Sequence, residues 1–227
     1  MIFGFLSKPQ KINSIKILDE IENAVYEHVK PLGFKKHGRT LHRFVSEDIS
    51  QVINFQYANS KDMEGLFCVN LGVRIPECSE RTFHPNNPEK KYYHEYECTL
   101  RSRLGSISGK REIWFNLRKN TKRIISSIIS ELDKVVIPAF SILVSREAII
   151  AHRKNHPLDF FNKLTLFDES MIYGHLGNLE QAKELFEIYY QSVVDDYNEK
   201  DGYVTLYGAS HGYIDNLDKL ALELGIR

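Results

Sequence analysis

Seven polar side chains in this sequence are of types that bind charged or hydrogen-bonding partners. Each stands where polar and apolar residues alternate, and the set is Arg43, Asn54, Gln56, Asn70, Arg74, Arg101 and Arg103. A guanidinium presents a planar fork of N–H donors to a carboxylate or phosphate, and an amide adds directional donors and acceptors. We expect a sheet face that needs only solvation to carry Lys, Glu and Thr instead. The set therefore predicts a binding face.

Three consecutive alternating segments predict the strands that carry these side chains. The segments are 39–45, 51–57 and 66–74, and they predict one antiparallel sheet with a dry face and a polar face. A fourth strand from Tyr96 to Leu104 turns Arg101 and Arg103 to the polar face, and a fifth strand is expected near Trp114.

The orientation of the first strand stays open at the level of sequence. Either Leu41 and Val45 or His42 and Phe44 face the core, and the second choice brings Arg43 to the polar face. The basic segment 35–38 before this strand is expected to be a turn.

Helices are predicted on both sides of the strands. The first starts at Asn13 or Ser14 and ends at 31–33, and another follows Asn120 until Pro138 interrupts it. A helix from Ser145, a helical hairpin and a final helix over 213–224 complete the chain. The fold class is therefore α+β, with a sheet of about four strands packed against the N-terminal helix and later helices. We expect an α+β domain over 1–150 and a helical hairpin subdomain over 151–227.

Composition and charge narrow the function classes. The chain has 227 residues, 42% of them hydrophobic, with 30 basic and 30 acidic side chains. Residues 1–150 hold 23 Lys and Arg against 17 Asp and Glu, whereas residues 151–227 hold 7 against 13. The balance gives no general attraction to nucleic acid or to an anionic membrane. No run of about 18 apolar residues is present, as a membrane-spanning helix would need. From this and the balanced charge we expect neither a membrane nor a nucleic-acid partner.

Metal and catalytic motifs are weak. The three cysteines have no CxxC spacing, which suits a reducing compartment, and we expect a cytoplasmic protein. A zinc site could in principle gather His84, His94, Cys78 and Cys98. Paired ligand arms are missing, however, and His152 and His156 precede a helix-breaking proline. The segment 105–110 lacks phosphate-loop spacing. We therefore expect no metal, no cofactor and no catalytic residue.

Several short motifs in series resemble a known family. They are Pro31-Leu-Gly-Phe34, Lys35-Lys-His-Gly-Arg39-Thr40, Ile53-Asn-Phe-Gln56, Val69-Asn-Leu-Gly-Val73, Cys98-Thr-Leu-Arg-Ser-Arg103-Leu-Gly105 and Trp114. Their order over about residues 14 to 145 resembles the bacterial family catalogued as domain of unknown function 4304. No activity comes with the resemblance. Some small bacterial families of this type act as immunity or toxin-associated proteins, which is an association at the level of the family.

The tail has a fainter resemblance of its own. Residues 171–186 are similar to the helix-turn-helix centre of one tetratricopeptide repeat, with Ala182 where the two helices pack. No second copy occurs at a period of about 34 residues, so a docked helical hairpin is the simpler interpretation.

Two functional hypotheses follow from the polar face. In the first, this face and the tyrosines Tyr92, Tyr93 and Tyr96 bind a protein partner, in an immunity or toxin-associated role, without catalysis. In the second, an enzyme or ligand-binding domain holds an anionic small molecule through Arg101, Arg103 and Asn70. A structural alternative stays open, in which the arginines pair with Glu95, Glu97 or the acidic tail. The long helices equally suit a homodimer interface.

Overall fold

The computed structural model describes residues 13–46, 48–58, 60–79, 91–107, 109, 113–155, 164–199, 215–219, 222 and 225. Its helices are α1 (Ser14–Val29), α2 (Pro76–Ser79), α3 (Leu104–Ile107), α4 (Thr121–Glu131), α5 (Ile137–Ile142), α6 (Arg146–Asn155), α7 (Leu166–His175) and α8 (Leu179–Glu199). Its strands are β1 (Lys35–His37), β2 (Thr40–Phe44), β3 (Ser50–Tyr57), β4 (Leu66–Arg74), β5 (Leu100–Arg103) and β6 (Phe115–Asn116). The predicted α+β class is confirmed.

All six strands of the described chain belong to one antiparallel sheet. The order is β1-β2-β3-β4-β5, and β6 pairs with the beginning of β4. The strand expected near Trp114 is β6. Strand β1 lies where a turn was predicted, because Gly38 adopts a positive φ of 55° and folds Lys35–His37 back along β2. The fourth predicted strand is shorter than expected, since Glu95–Glu97 form a 3-10 turn before β5.

One face of the sheet packs on helices. Asn13 begins α1 by accepting a hydrogen bond from the backbone N–H of Lys16. A 3-10 turn, Lys30–Leu32, follows the helix and ends at Gly33, which has a φ of 89°. The buried side of α1 covers the apolar face of the sheet, whose β4 side chains are Phe67, Val69, Leu71 and Val73. Asn120 caps α4 in the same way as Asn13 caps α1. The alternation in segment 66–74 therefore predicted the two faces of β4.

The orientation of β2 is settled by its register with β3. Leu41 lies opposite Ile53 in the core, and Arg43 lies opposite Gln51 on the same side. Arg43 places its guanidinium over the Phe34 ring at 4.8 Å and donates hydrogen bonds to Gln51 and to the Leu32 carbonyl. The expectation that Arg43 joins the polar face is therefore wrong. A long side chain can bury its stem among apolar groups while its head is hydrogen-bonded, so its type did not reveal its face.

The tail forms a helical hairpin that packs on the sheet domain. Helices α7 and α8 approach closely at Gly174, where an added Cβ would lie 3.8 Å from the Ala182 Cβ. The Cys78 thiol lies 3.5 Å from the Asp168 carbonyl, and one continuous apolar core runs from α1 to α8. The division at residue 150 stays a prediction. Of the expected final helix, 215–219 and 222 are described and helical, and Leu217 is buried.

No single helix in the described ranges is both long and apolar enough to cross a bilayer. One bent pair, Thr121–Ile142 with Arg146–Arg153, reaches that length and composition only when both halves are taken together across a 109° bend.

A buried arginine joins the sheet domain to the start of the tail. Arg146, in the first turn of α6, donates to the Asp48 carboxylate at 2.7 and 3.1 Å and to the Glu77 carboxylate at 2.7 and 2.8 Å. The Arg146 and Glu77 side chains are only 10% and 13% exposed. The hydrogen bonds from Arg146 lower the pKa of Asp48. This clamp fixes α6 against the β2–β3 turn and α2.

We expect Arg146→Ala to lower the free energy of unfolding by about 3 to 5 kcal/mol, because it leaves carboxylates without their buried partner. Denaturant unfolding monitored by circular dichroism measures the change. Arg123→Ala is the matched control, because Arg123 is exposed on α4 and its removal should cost no more than about 0.5 kcal/mol. Equal losses for the two variants would show that the clamp contributes no stability.

Candidate functional site

The second face of the sheet carries a row of polar side chains that crosses four strands. Strand register places Thr40 opposite Asn54, Asn54 opposite Asn70, and Asn70 opposite Arg103. We call these four residues the polar ladder. Six of the seven predicted site residues lie on this face: Asn54, Gln56, Asn70, Arg74, Arg101 and Arg103.

The amides of the polar ladder bond to each other. Asn54 donates from Nδ2 to Thr40 Oγ1 at 3.0 Å, and Asn70 donates from Nδ2 to Gln56 Oε1 at 2.8 Å and to Asn54 Oδ1 at 3.5 Å. Asn70 is buried and Gln56 is exposed. The network therefore holds the Gln56 side chain in a fixed position at the open end of the face.

Residues 91–98 cross the opposite end of the face, and we call this segment the strap. The Tyr92 ring stacks on His37 with centroids 3.4 Å apart, and the Tyr93 ring lies 3.8 Å from the Arg74 guanidinium. Tyr93 also meets Phe44 edge to face. Arg74 is 3% exposed as a result. The strap thus covers Arg74, which sequence analysis placed in an open binding face.

Gly72 makes the close approach of the strap feasible. A Cβ added at Gly72 would lie 2.5 Å from Cys98 Sγ and 2.7 Å from Cys98 Cβ, closer than side chains tolerate. Cys98 is buried at this contact. The strap can therefore rest on β4 because this position has no side chain.

Five exposed or half-buried side chains form what we call the Arg–aromatic surface: Tyr96 of the strap, with Gln56, Arg101, Arg103 and Trp114. Arg103 places its guanidinium 5.5 Å from the Trp114 ring, and Arg101 pairs with Glu95 through a 2.6 Å hydrogen bond. Tyr96 is 52% exposed and stacks on His94. The pairing of Arg101 with Glu95 is the contact that the structural alternative anticipated.

The thiols near this face are poorly suited to nucleophilic chemistry. Cys68 lies beside Gln56 and Asn70, with its Sγ 3.8 and 3.6 Å from their carbonyl oxygens. Burial raises the pKa of Cys68, and burial also raises the pKa of Cys98, where the strap rests on Gly72. Thiols in such surroundings stay protonated and unreactive. The chemistry of this face is hydrogen bonding and stacking.

Two polar groups that sequence reasoning missed are buried near β1. Glu22 of α1 is 2% exposed and pairs with Arg39 and Lys36. Burial raises the pKa of Glu22 despite these cations. His42 is 7% exposed, and its Nδ1 has no hydrogen-bond partner within the described ranges. A charged residue on the buried side of an otherwise amphipathic helix was the available signal for Glu22.

A second concavity lies at the clamp. An open cleft of about 380 Å³ is lined by Ser46, Ile49, Ser145, Arg146, Glu147, His175 and Leu176. The Arg146 donors that face it are already engaged by Asp48 and Glu77, so the cleft offers less for a ligand than the sheet face. In the part of the chain that the structure describes, no group of three His, Cys, Asp or Glu side chains is placed to hold a metal ion. His84 and His156 lie outside that part.

We expect Asn70→Ala to lower the free energy of unfolding by about 1 to 3 kcal/mol, because Asn54 and Gln56 lose a shared partner inside the face. Denaturant unfolding measures the change. Asn23→Ala is the control, since Asn23 is exposed on α1 and accepts one surface hydrogen bond from Lys36. If both variants lower the free energy of unfolding by the same small amount, the polar ladder stabilises the fold no more than a surface hydrogen bond does.

Comparisons with known proteins bear on the front of the chain. Residues 16–142, more than half of the sequence, match the family described as Domain of unknown function (DUF4304). Searches of the curated proteins and of the solved structures each found no match. The matched range begins in α1 and ends with α5, so it contains the whole sheet, the strap and the Arg–aromatic surface. The chain belongs to the DUF4304 family.

Proposed function

We propose that this protein is a non-catalytic protein-binding module and that the Arg–aromatic surface contacts its partner. The observation that carries the proposal is the contact of the Arg103 guanidinium with the Trp114 ring, 5.5 Å from its centroid, at the β5 end of the polar ladder. Tyr, Trp and Arg are the residue types that contribute most to protein–protein affinity. All three occur together on this surface.

The surface is also held in place before any partner arrives. Gln56 is positioned by Asn70, Arg101 by Glu95, and Tyr96 by its stack on His94. Side chains that are already ordered lose little conformational entropy on binding. The contacts that fix these groups therefore favour a binding role, although they also stabilise the fold.

The setting of this role is part of the proposal. The family resemblance suggests an immunity or toxin-associated protein in a bacterium, with the toxin as the partner. The three cysteines are buried and form no disulfide bond, which favours the reducing cytoplasm. The α7–α8 hairpin, similar to one tetratricopeptide repeat, offers a second surface for a protein partner or for a second copy of the chain.

An anionic small molecule is the second candidate ligand. Arg101 and Arg103 project from the same face of β5, two residues apart, and guanidiniums in such an arrangement recognise carboxylate or phosphate. Glu95 already holds Arg101 at 2.6 Å and would have to be displaced. This competition favours the protein partner, which can use the aromatic groups without breaking the pair.

We expect Tyr96→Ala and Arg103→Ala each to weaken partner binding by about 30-fold or more, as for central interface residues. The wild-type chain is used to capture a partner from a native lysate of the source cells. Once the partner is identified and purified, calorimetry gives the dissociation constant for each variant. Arg123→Ala is the matched control, because Arg123 is exposed on α4, and this variant should bind like wild type.

Two results separate the candidate functions. Loss of affinity in both surface variants, with unchanged thermal melts, supports the protein-binding role. Stabilisation of wild type by inorganic phosphate or a dicarboxylate, lost in Arg101→Ala/Arg103→Ala, would support the small-molecule role. Surface variants that retain full affinity for the partner would contradict the proposed surface.

A further inference from the structure

Histidine and tyrosine rings hold the beginning of the strap on the sheet. Tyr92 stacks on His37 of β1 at 3.4 Å and lies 6.2 Å from the His42 ring of β2. His94 meets Tyr92 edge to face, with ring centroids 6.1 Å apart. The rings of His37, His42 and His94 therefore all lie near Tyr92, at the beginning of the strap.

Among these imidazoles, His42 is the one enclosed by the fold. It is 7% exposed, and its Nδ1 is buried with no hydrogen-bond partner among the described residues. Its cross-strand neighbours are Lys35 on β1 and Val52 on β3. Buried polar atoms are normally paired, so this atom marks a site where the fold tolerates a neutral ring better than a charged one.

Among the residues that the structure describes, the groups that face His42 offer no negative charge to stabilise an imidazolium. From β1 these groups are Lys35 and His37, and from the strap they are Tyr92 and, beyond it, Tyr93 and His94. From β3 and β4 they are the uncharged Ser50, Val52 and Asn54 and, further along the face, the Arg74 guanidinium. The charged carboxylates of this region are engaged elsewhere, with Glu97 on the His94 backbone N–H and Glu95 on Arg101.

We propose that the strap is a pH-sensitive cover of the sheet face and that protonation of His42 releases its Tyr92–His94 end. Released tyrosines would uncover the Phe44, Ser50 and Arg74 row, which lies on the same face as the polar ladder, with the His42, Val52 and Gly72 row between them. The anchored end at Cys98, Glu95 and Arg101 stays in place. Release of the Tyr92–His94 end therefore increases the solvent-exposed area of the polar face without unfolding the sheet.

The sign of the effect follows from the environment of His42. Burial lowers the pKa of His42 below its ordinary value of 6.5, and the neighbouring His37 and Lys35 lower it further. The released state has the ordinary pKa, so it binds more protons than the closed state at mildly acidic pH. The cover is therefore fully stable above pH 6.5 and loses stability as the pH falls below that value. With one proton taken up, the opening equilibrium rises by up to about tenfold between pH 7.5 and 5.5.

Hydrogen–deuterium exchange of the full chain tests this release without any partner. Protection of peptides covering 91–98, corrected for the intrinsic pH dependence of exchange, should fall by several-fold and up to about tenfold from pH 7.5 to 5.5. Peptides from α1 and β4 should keep their protection. His42→Phe retains an aromatic ring but cannot be protonated, so its strap protection should not change with pH.

A second histidine provides the matched control. His28 of α1 pairs with Asp133 at 2.8 Å, away from the strap, and His28→Gln should leave the pH response of the strap intact. Nuclear magnetic resonance titration of wild type gives a result that does not depend on a variant folding. His42 should titrate below 6.5, and strap protection should fall over the same range. Strap protection independent of pH, a response kept by His42→Phe, or a His42 pKa above 6.5 would overturn the proposal.

The effect on binding rests on the proposed function and is measured separately. If the cover opens but partner affinity is the same at pH 7.5 and 5.5, the release stands and the Arg–aromatic surface acts independently of it. If the surface variants bind normally while the cover still opens, the proposed surface fails and the release stands. If partner affinity differs between pH 7.5 and 5.5, and His42→Phe abolishes this difference, then release of the strap controls binding at the Arg–aromatic surface.

Discussion

The close approach of Cys98 to Gly72 is the constraint on which the site depends. Because β4 has no side chain at Gly72, the strap can rest on the sheet, and both faces of the strand are then enclosed. Helices cover one face with apolar contacts, whereas the strap covers part of the other with rings stacked on polar groups. A face expected to be open is therefore divided into a covered end at Arg74 and an open end at Arg103.

Enclosing a polar face requires that its groups find partners, and most of them do. The amides of the polar ladder bond to each other, and Arg74 lies against Tyr93. Arg146 satisfies the same requirement at the junction with the tail by pairing with two carboxylates. Two buried atoms on this face have no hydrogen-bond partner in the described chain, Ser50 Oγ and His42 Nδ1, and of these two only the His42 ring can take up a proton near neutral pH. A neutral ring tolerates that position and a charged one does not, which gives the cover its dependence on pH.

Local patterns in the sequence predicted the parts of the fold that depend on neighbours along the chain. Alternation in segment 66–74 gave the two faces of β4, and Asn13 and Asn120 marked the starts of α1 and α4. Arg43 was misplaced because both faces of β2 are covered, so alternation there has no simple wet and dry side. The strap could not be predicted, since its position depends on contacts with β1, β2 and β4 that are distant in sequence. Tyr92 and Tyr93 entered the sequence analysis only within a binding hypothesis, and their contacts with His37 and Arg74 on the sheet were not anticipated.

Gly72→Ala tests most directly the claim that the strap rests on β4 through this missing side chain. The added methyl group would overlap Cys98, so exchange of the amides in 91–98 at pH 7.5 should rise by about tenfold or more while α1 stays protected. Gly174→Ala is the matched control, because its Cβ would meet Ala182 at an ordinary 3.8 Å and should leave the strap unchanged. Equal strap protection in wild type and Gly72→Ala would contradict this account, since it would mean that the cover does not depend on contact with β4.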